Sequence, residues 1–247
     1  MKYSCLSYLM KSLVYILATC LPIIYSCHQP VKPYTIHTIG DSTMADKKPE
    51  VYPETGWCQV FPELLPAHIR LVNHAVNGRS TKSFIDEGRW KVVLDQLKPG
   101  DYVFIQFGHN DQKIQDSTRY ADAKGAYRAN MERFIAETRE NGATPILFTS
   151  IVRRKFDENG KLIPTHGEYP EVVRAVALES EVMMVDLEFL TARLVEETGR
   201  EESKSVYLWT EPDDRFPEGR QDDTHLSVEG ARLVARLAHN ELKQIFR

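Results

Sequence analysis

Hydrophobic and polar positions along this chain switch repeatedly between two periods. From Tyr34 onward, short runs rich in β-branched and aromatic residues alternate with longer stretches whose apolar positions recur at helical spacing. The strand-like runs are Tyr34–Ile39, Ile69–Ala75, Asp101–Phe107, Thr144–Ile151 and Val182–Asp186. The third contains Tyr-Val-Phe-Ile-Gln-Phe, a run expected of a strand buried on both faces. Helical spacing falls on Trp57–Leu65, stopping near Pro66, and on Trp90–Leu97, closing at Pro99-Gly100. A long amphipathic helix is expected over Tyr120–Glu140, with Ala126, Met131, Phe134 and Ile135 inward and Asn141-Gly142 as its stop. Val172–Glu179, Leu187–Glu197 before Gly199, and a last helix to Phe246 complete the series. Ser227 is placed to cap that last helix, with Gly230 in its first turn. Five strands separated by helices predict an α/β fold, a parallel doubly wound sheet with helices on both faces. No repeat, linker or low-complexity tract divides residues 34–247, so one domain is expected there.

The start of the chain follows another pattern. Lys2 and Lys11 flank a short polar segment, an apolar run of thirteen residues spans Leu13 to Tyr25, and Ser26-Cys27 follow. Thirteen residues are too few to cross a bilayer, which takes about 20. A basic start and an apolar run of this length predict a secretory signal peptide over residues 1–26. Ile24-Tyr25-Ser26-Cys27 resembles a bacterial lipobox, which would put a lipid on Cys27 and leave residues 27–33 as a tether. A plain cleaved signal is the alternative. The expected location is therefore outside the cytoplasm, in the periplasm or outer membrane as a lipoprotein, otherwise secreted.

Composition narrows the class further. Apolar residues make up 42% and charged residues 27% of 247, which excludes a disordered chain, a collagen-like repeat and a multi-span membrane protein. The formal charge of −4 becomes −6 without Lys2 and Lys11, so nothing marks a nucleic-acid partner. Without Cys5 and Cys20 only Cys27 and Cys58 remain, and a lipid on Cys27 would leave Cys58 unpaired.

In doubly wound sheets ligands bind beyond the carboxyl ends of the strands. Three successive strand-like runs here end in glycine with a polar neighbour: Gly40-Asp41-Ser42, Asn77-Gly78 and Gly108-His109-Asn110. Singly, each is an ordinary turn. Together they offer a hydroxyl, an amide and backbone N–H groups to one crevice. Acyl-ester hydrolysis needs a nucleophile, a base, an orienter for the base and donors for the oxyanion. Ser42 fits the first need. Asp222-Asp223-Thr224-His225, before the last helix, fits the second and third, since residues three apart in a turn-like segment can face the same way. Asp222 is the better placed partner of His225, with Asp223 expected to face solvent or cap the helix.

Gly40-Asp41-Ser42-Thr43-Met44, Gly78, Gly108-His109-Asn110-Asp111 and Asp222-x-x-His225 resemble, in order, the four blocks of the SGNH (GDSL-type) hydrolases. Thr-Met in the first block, Phe107 before the third and Asp222-Asp223-Thr224-His225 are similar to the rhamnogalacturonan acetylesterase branch. The resemblance covers nearly all of residues 34–247, including Thr149 to Arg154. It implies a three-layer flavodoxin-like fold, no metal and no cofactor. It further implies Ser42 as nucleophile, His225 as base, Asp222 as its orienter, and Ser42, Gly78 and Asn110 as oxyanion donors. A Gly-x-Ser-x-Gly elbow is absent, which separates the chain from ordinary α/β-hydrolases.

The expected activity is carbohydrate O-acetylesterase action on an acetylated pectic polysaccharide or oligosaccharide. Two rivals are an SGNH lipase or lysophospholipase, disfavoured by the lack of a long apolar lid, and a non-catalytic sugar-binding module, disfavoured by the intact set of Ser42, Gly78, Asn110, Asp222 and His225, since a binder has no need of all five. His37, His74, His109 and His225 are scattered singly, and no His-Glu-x-x-His or Cys-x-x-Cys occurs. Trp57, Trp90, Trp209 and Tyr169 could stack on sugar but are more ordinary as packing residues. Arg153 and Arg154 could meet an acidic sugar or simply be solvated. Loops Thr43–Thr55, Lys113–Tyr120, Phe156–Glu168 and Glu201–Gln221 are expected to shape the pocket.

Overall fold

Five strands form one wholly parallel sheet in the computed structural model, which describes residues 32–246. The signal segment, Cys27 and most of the tether lie outside the described residues. In chain order the elements are β1 (Tyr34–Gly40), α1 (Trp57–Val60), β2 (Ile69–Asn73), α2 (Thr81–Asp86), α3 (Arg89–Leu94), β3 (Tyr102–Gln106) and α4 (Arg128–Glu140). Then come β4 (Thr144–Phe148), α5 (Tyr169–Glu179), β5 (Met183–Val185), α6 (Leu187–Thr198), β6 (Tyr207–Thr210), β7 (Arg220–Leu226) and α7 (Val228–Glu241). The sheet order is β2-β1-β3-β4-β5, the flavodoxin-like order, which places a switch point between β1 and β3.

Side-chain alternation divides the core into two layers. Ile36, Phe104, Ile146 and Phe148 point to one face, where Trp57, Phe61, Leu187, Val195 and Val234 cover them. Ile39, Val103, Ile105 and Leu147 point to the other, under Phe84, Trp90, Phe134 and Val176. Each fully buried side chain of this size contributes about 1.5–3 kcal/mol, so the two layers supply most of the driving force for folding. Trp57, Trp90 and Tyr169 belong to these layers, the packing role expected for them.

Several expectations need correction. The helix expected over Tyr120–Glu140 begins with a π-turn at Ala123–Tyr127, where Gly125 leaves helical geometry, and regular α-helix starts at Arg128. That break shifts the register, so Ala126 is exposed and Tyr127 is buried in its stead. The run Trp57–Leu65 splits into a single α-turn and a 3-10 turn, with Pro62 opening the second. Ser80 and Ser83 cap each other's backbone at the start of α2, a short helix the apolar pattern did not reveal.

The largest departure lies before α7. Glu201–Gln221 is not wholly loop: β6 and β7 form an antiparallel pair, so Asp222 and His225 sit on a strand and not in a plain turn. Its register jumps from Leu208↔Asp222 to Tyr207↔Leu226, so Asp223, Thr224 and His225 bulge out of the ladder.

Candidate active site

The turn after β1 is built around Asp41. This fully buried carboxylate accepts from the N–H and hydroxyl of Thr43, both at 2.9 Å, while its carbonyl accepts from the N–H groups of Met44 and Ala45. Its second oxygen lies 3.2 Å from His109 Nδ1, tying the first strand-end turn to the third. Burial works to raise Asp41, but His109 and the two Thr43 bonds outweigh it and hold the acid at about 2. Burial pushes His109 the other way, below the ordinary histidine range. Sequence reasoning gave neither residue a role, since Asp41 in a Gly-Asp-Ser turn looks like any polar turn residue.

Ser42 follows on that braced turn, and only 8% of it is exposed. His225 Nε2 lies 2.9 Å from its hydroxyl, and His225 Nδ1 lies 2.7 Å from Asp222 Oδ2. The bulge makes this possible: Asp222 Oδ1 accepts from the N–H groups of Thr224 and His225, curling the backbone so the two side chains face each other. Partial burial works to raise Asp222, but the His225 side chain and those N–H groups hold it far below the usual carboxylate range. It is therefore an anion at any working pH.

Gly78 and Asn110 close the crevice from the β2 and β3 ends. Gly78 has φ +76°, a conformation that favours glycine. Asn110 is buried, and its Nδ2 donates to the Arg79 carbonyl at 3.0 Å, binding the two turns together. One amide hydrogen is used there and a second remains. Gly108, with φ +142°, lies so close to Ser150 that a Cβ would come within 2.5 Å of its hydroxyl oxygen. Among the described residues, the N–H groups of Ser42 and Gly78 make no hydrogen bond.

Asp223 neither faces solvent freely nor caps α7, a role that Ser227 fills by accepting from the Gly230 N–H. Asp223 Oδ1 accepts from Arg154 Nη1 at 2.9 Å and from Trp209 Nε1 at 2.8 Å. Arg154 is buried, held also by Ser203 and the Arg200 carbonyl, so it is neither solvated nor open to a sugar. Arg153 is half-buried and bonds to Thr165 and the His109 carbonyl. The histidines are not all single either: His37 Nδ1 lies 3.0 Å from His74 Nε2, and His109 packs edge-on against His166 at 4.5 Å between ring centres. Among the described residues no group of three His, Cys, Asp or Glu side chains is gathered to hold a metal. Cys58 is buried and free.

The sequence profile of the GDSL-like Lipase/Acylhydrolase family matches residues 38–233, a span from β1 into α7 that takes in every residue of the crevice. The chain belongs to that family. Among GDSL-like relatives, rhamnogalacturonan acetylesterase RhgT of Bacillus subtilis (strain 168) is 40% identical over 216 residues, covering 87% of this chain and 91% of that protein. Probable rhamnogalacturonan acetylesterase YesY of the same organism is 32% identical over 211 residues, covering 85% and 89%. The crystal structure of YXIM from Bacillus subtilis superimposes with a TM-score of 0.73 at 28% identity, covering 88% of this chain. This chain spans 58% of that longer one.

Proposed function

We propose that this GDSL-like hydrolase is a carbohydrate O-acetylesterase that removes acetyl groups through an acyl-serine intermediate. The observation that carries the reading is the unbroken line from Asp222 through His225 to the Ser42 hydroxyl. In the acylation step the Ser42 oxygen attacks the acetyl carbonyl as His225 Nε2 takes its proton. Asp222 holds the Nδ1–H, fixing the tautomer and stabilising the imidazolium. The carbonyl oxygen gains negative charge, and the free N–H groups of Ser42 and Gly78 with the second Asn110 amide hydrogen are the donors assigned to it. His225 then returns the proton to the departing sugar hydroxyl, activates water in turn, and acetate leaves.

The family and the names of its relatives support a sugar ester, and the rim of the crevice favours an acidic one. A cleft of about 450 Å³ beside Gly78 is lined by Arg79, Lys82 and Arg119 as well as Asp86 and Glu87. Arg79 and Lys82 are paired with Glu87 and Asp86, and Arg119 Nε with Asp116. The Arg119 Nη1 atom lies 3.6 Å from where a Gly78 Cβ would stand. Partial desolvation and the neighbouring Arg119 and Arg153 cations push the Lys113 ammonium below the ordinary lysine range. The Arg119 guanidinium beside Gly78 suits a uronic acid carboxylate on the sugar chain, and a rim this polar does not suit a lipid tail. Acetate release from acetylated rhamnogalacturonan oligosaccharides, acetylated xylan and a long-chain ester, by wild type and Arg119→Gln, tests this. The acidic substrate should be preferred, and the variant should lose about 3- to 30-fold of that preference over xylan. Turnover of the long-chain ester alone contradicts the reading.

Export with a lipid on Cys27 belongs to the same reading, since acetylated plant polymers are met outside the cell. It rests on the N-terminal sequence pattern.

A further inference from the structure

Lys47 and Glu54 flank the crevice and the mechanism above does not use them. Both side chains are almost fully buried, 2% and 8% exposed, and Lys47 Nζ lies 2.8 Å from Glu54 Oε1. Removing two charges from water is costly unless the surroundings repay it, and a buried pair is not by itself a stabilising device. Its other bonds are informative. Lys47 Nζ also donates to Asn77 Oδ1 at 2.8 Å, and Asn77 precedes Gly78. Glu54 Oε2 accepts from Arg220 Nη2 at 3.2 Å, two residues before Asp222, and the Thr55 N–H donates to the Leu226 carbonyl, one residue after His225. The pair thus links the loop that follows Ser42, the Gly78 turn and the start of β7, while the neighbouring Thr55 backbone holds the end of that strand.

We propose that Lys47 and Glu54 are a positioning pair for the reaction, fixing the Gly78 turn and setting the electric field at His225. The Glu54 carboxylate lies in the field of His225 and the Lys47 ammonium in the fields of Asp222 and Asp41, so the two place opposite charges beside the Asp222–His225 couple. Other charged or titratable groups around the imidazole are Asp222 on β7 and His109 after β3, with Arg153 facing Asp222 and Arg220 facing Glu54. Glu54 therefore stabilises the imidazolium that forms as Ser42 attacks, and Lys47 acts with the opposite sign.

The inference rests on His225 as general base, and the two charges give it a signature that packing alone lacks. The acid limb of kcat/KM for p-nitrophenyl acetate, where the base must be neutral, should move in opposite directions in the two variants. Glu54→Gln should shift it to lower pH and Lys47→Met to higher pH, each by about 0.5–1 unit. Both should lower kcat at pH 8. Lys47→Arg and Glu54→Asp, which keep the charges, should leave the limb near its wild-type position, and the Lys47→Met/Glu54→Gln double variant should bring it back towards wild type. Circular dichroism melts identify any variant that does not fold, in which case the charge-keeping and double variants decide. Shifts in one common direction, or limbs that stay put in folded variants, overturn the inference. Activity surviving His225→Ala overturns the base assignment and this inference with it, whereas an active wild type with immobile limbs overturns this inference alone.

Discussion

Asp222 and His225 face each other across 2.7 Å although both belong to β7, where residues three apart ordinarily point to opposite faces. The bulge of Asp223, Thr224 and His225 turns His225 around, and Asp222 drives the bulge by accepting the N–H groups of Thr224 and His225. One carboxylate therefore shapes the backbone and orients the imidazole. Asp222→Asn should lower kcat by roughly 10-fold to 10⁴-fold, because both the tautomer and the bulge suffer. Asp223 is different. Its removal should spare most of the activity but strand the buried Arg154 guanidinium, costing about 1–3 kcal/mol, discounted because Asp223 itself is part-exposed. Rates and melting temperatures of both variants decide between these roles.

Asn110 holds the Arg79 carbonyl with one amide hydrogen and is assigned to the oxyanion with the other. Asn110→Ala should lower kcat by about 10²–10³, with KM little changed. A variant that loses substrate affinity at constant kcat would make Asn110 a sugar contact.

Much of this arrangement is legible in the sequence, for physical reasons. β3 and β4 are covered on both faces, so their apolar runs stand out, and the glycine turns at the strand ends mark the crevice. Gly125, by contrast, breaks a helix whose flanking pattern is continuous, and nothing local announces which register wins. The β6–β7 pair hides because β7, Arg-Gln-Asp-Asp-Thr-His-Leu, is almost wholly polar and half-exposed, lacking the alternation that marks a strand. Arg154 reads as a solvated loop charge, and Lys47 and Glu54 carry no local signal within the Thr43–Thr55 loop. Only the distant partners brought by folding, Asp223, Asn77 and Arg220, bury them.

Asp111 predicts a pH dependence of stability. It is fully buried; its Oδ1 accepts from the Thr81 N–H and hydroxyl, while its Oδ2 has no partner. Burial outweighs the Thr81 bonds and, with the nearby Asp41 charge, pushes the acid up to about 7. A carboxyl raised on folding stabilises fully below its unfolded value, near 4, and that contribution is lost as pH climbs through 7. Asp111→Asn, which mimics the protonated acid, should match wild type near pH 4.5 and gain on it by ~2–6 °C in Tm at pH 8. A difference in Tm that stays flat between those pH values would show that Asp111 titrates as an ordinary carboxylate.

Cys27 is the proposed lipid site. Cys27→Ser, expressed in a bacterium with the lipoprotein pathway, should move the protein from the membrane fraction to the soluble one. Equal membrane association of both forms after a high-salt wash would remove the anchor from the account.

The central claim is that Ser42 carries the acetyl group during turnover, and acid-quenched mass spectrometry reads this directly. Mixing enzyme with p-nitrophenyl acetate and quenching in the first turnovers should yield one acetyl group on the peptide that contains Ser42. Ser42→Ala should fold normally, show no acetylated peptide, and lose activity on the order of 10⁴-fold or more. Acetate released at the wild-type rate by Ser42→Ala, or an acetyl group trapped on another residue, would contradict the account.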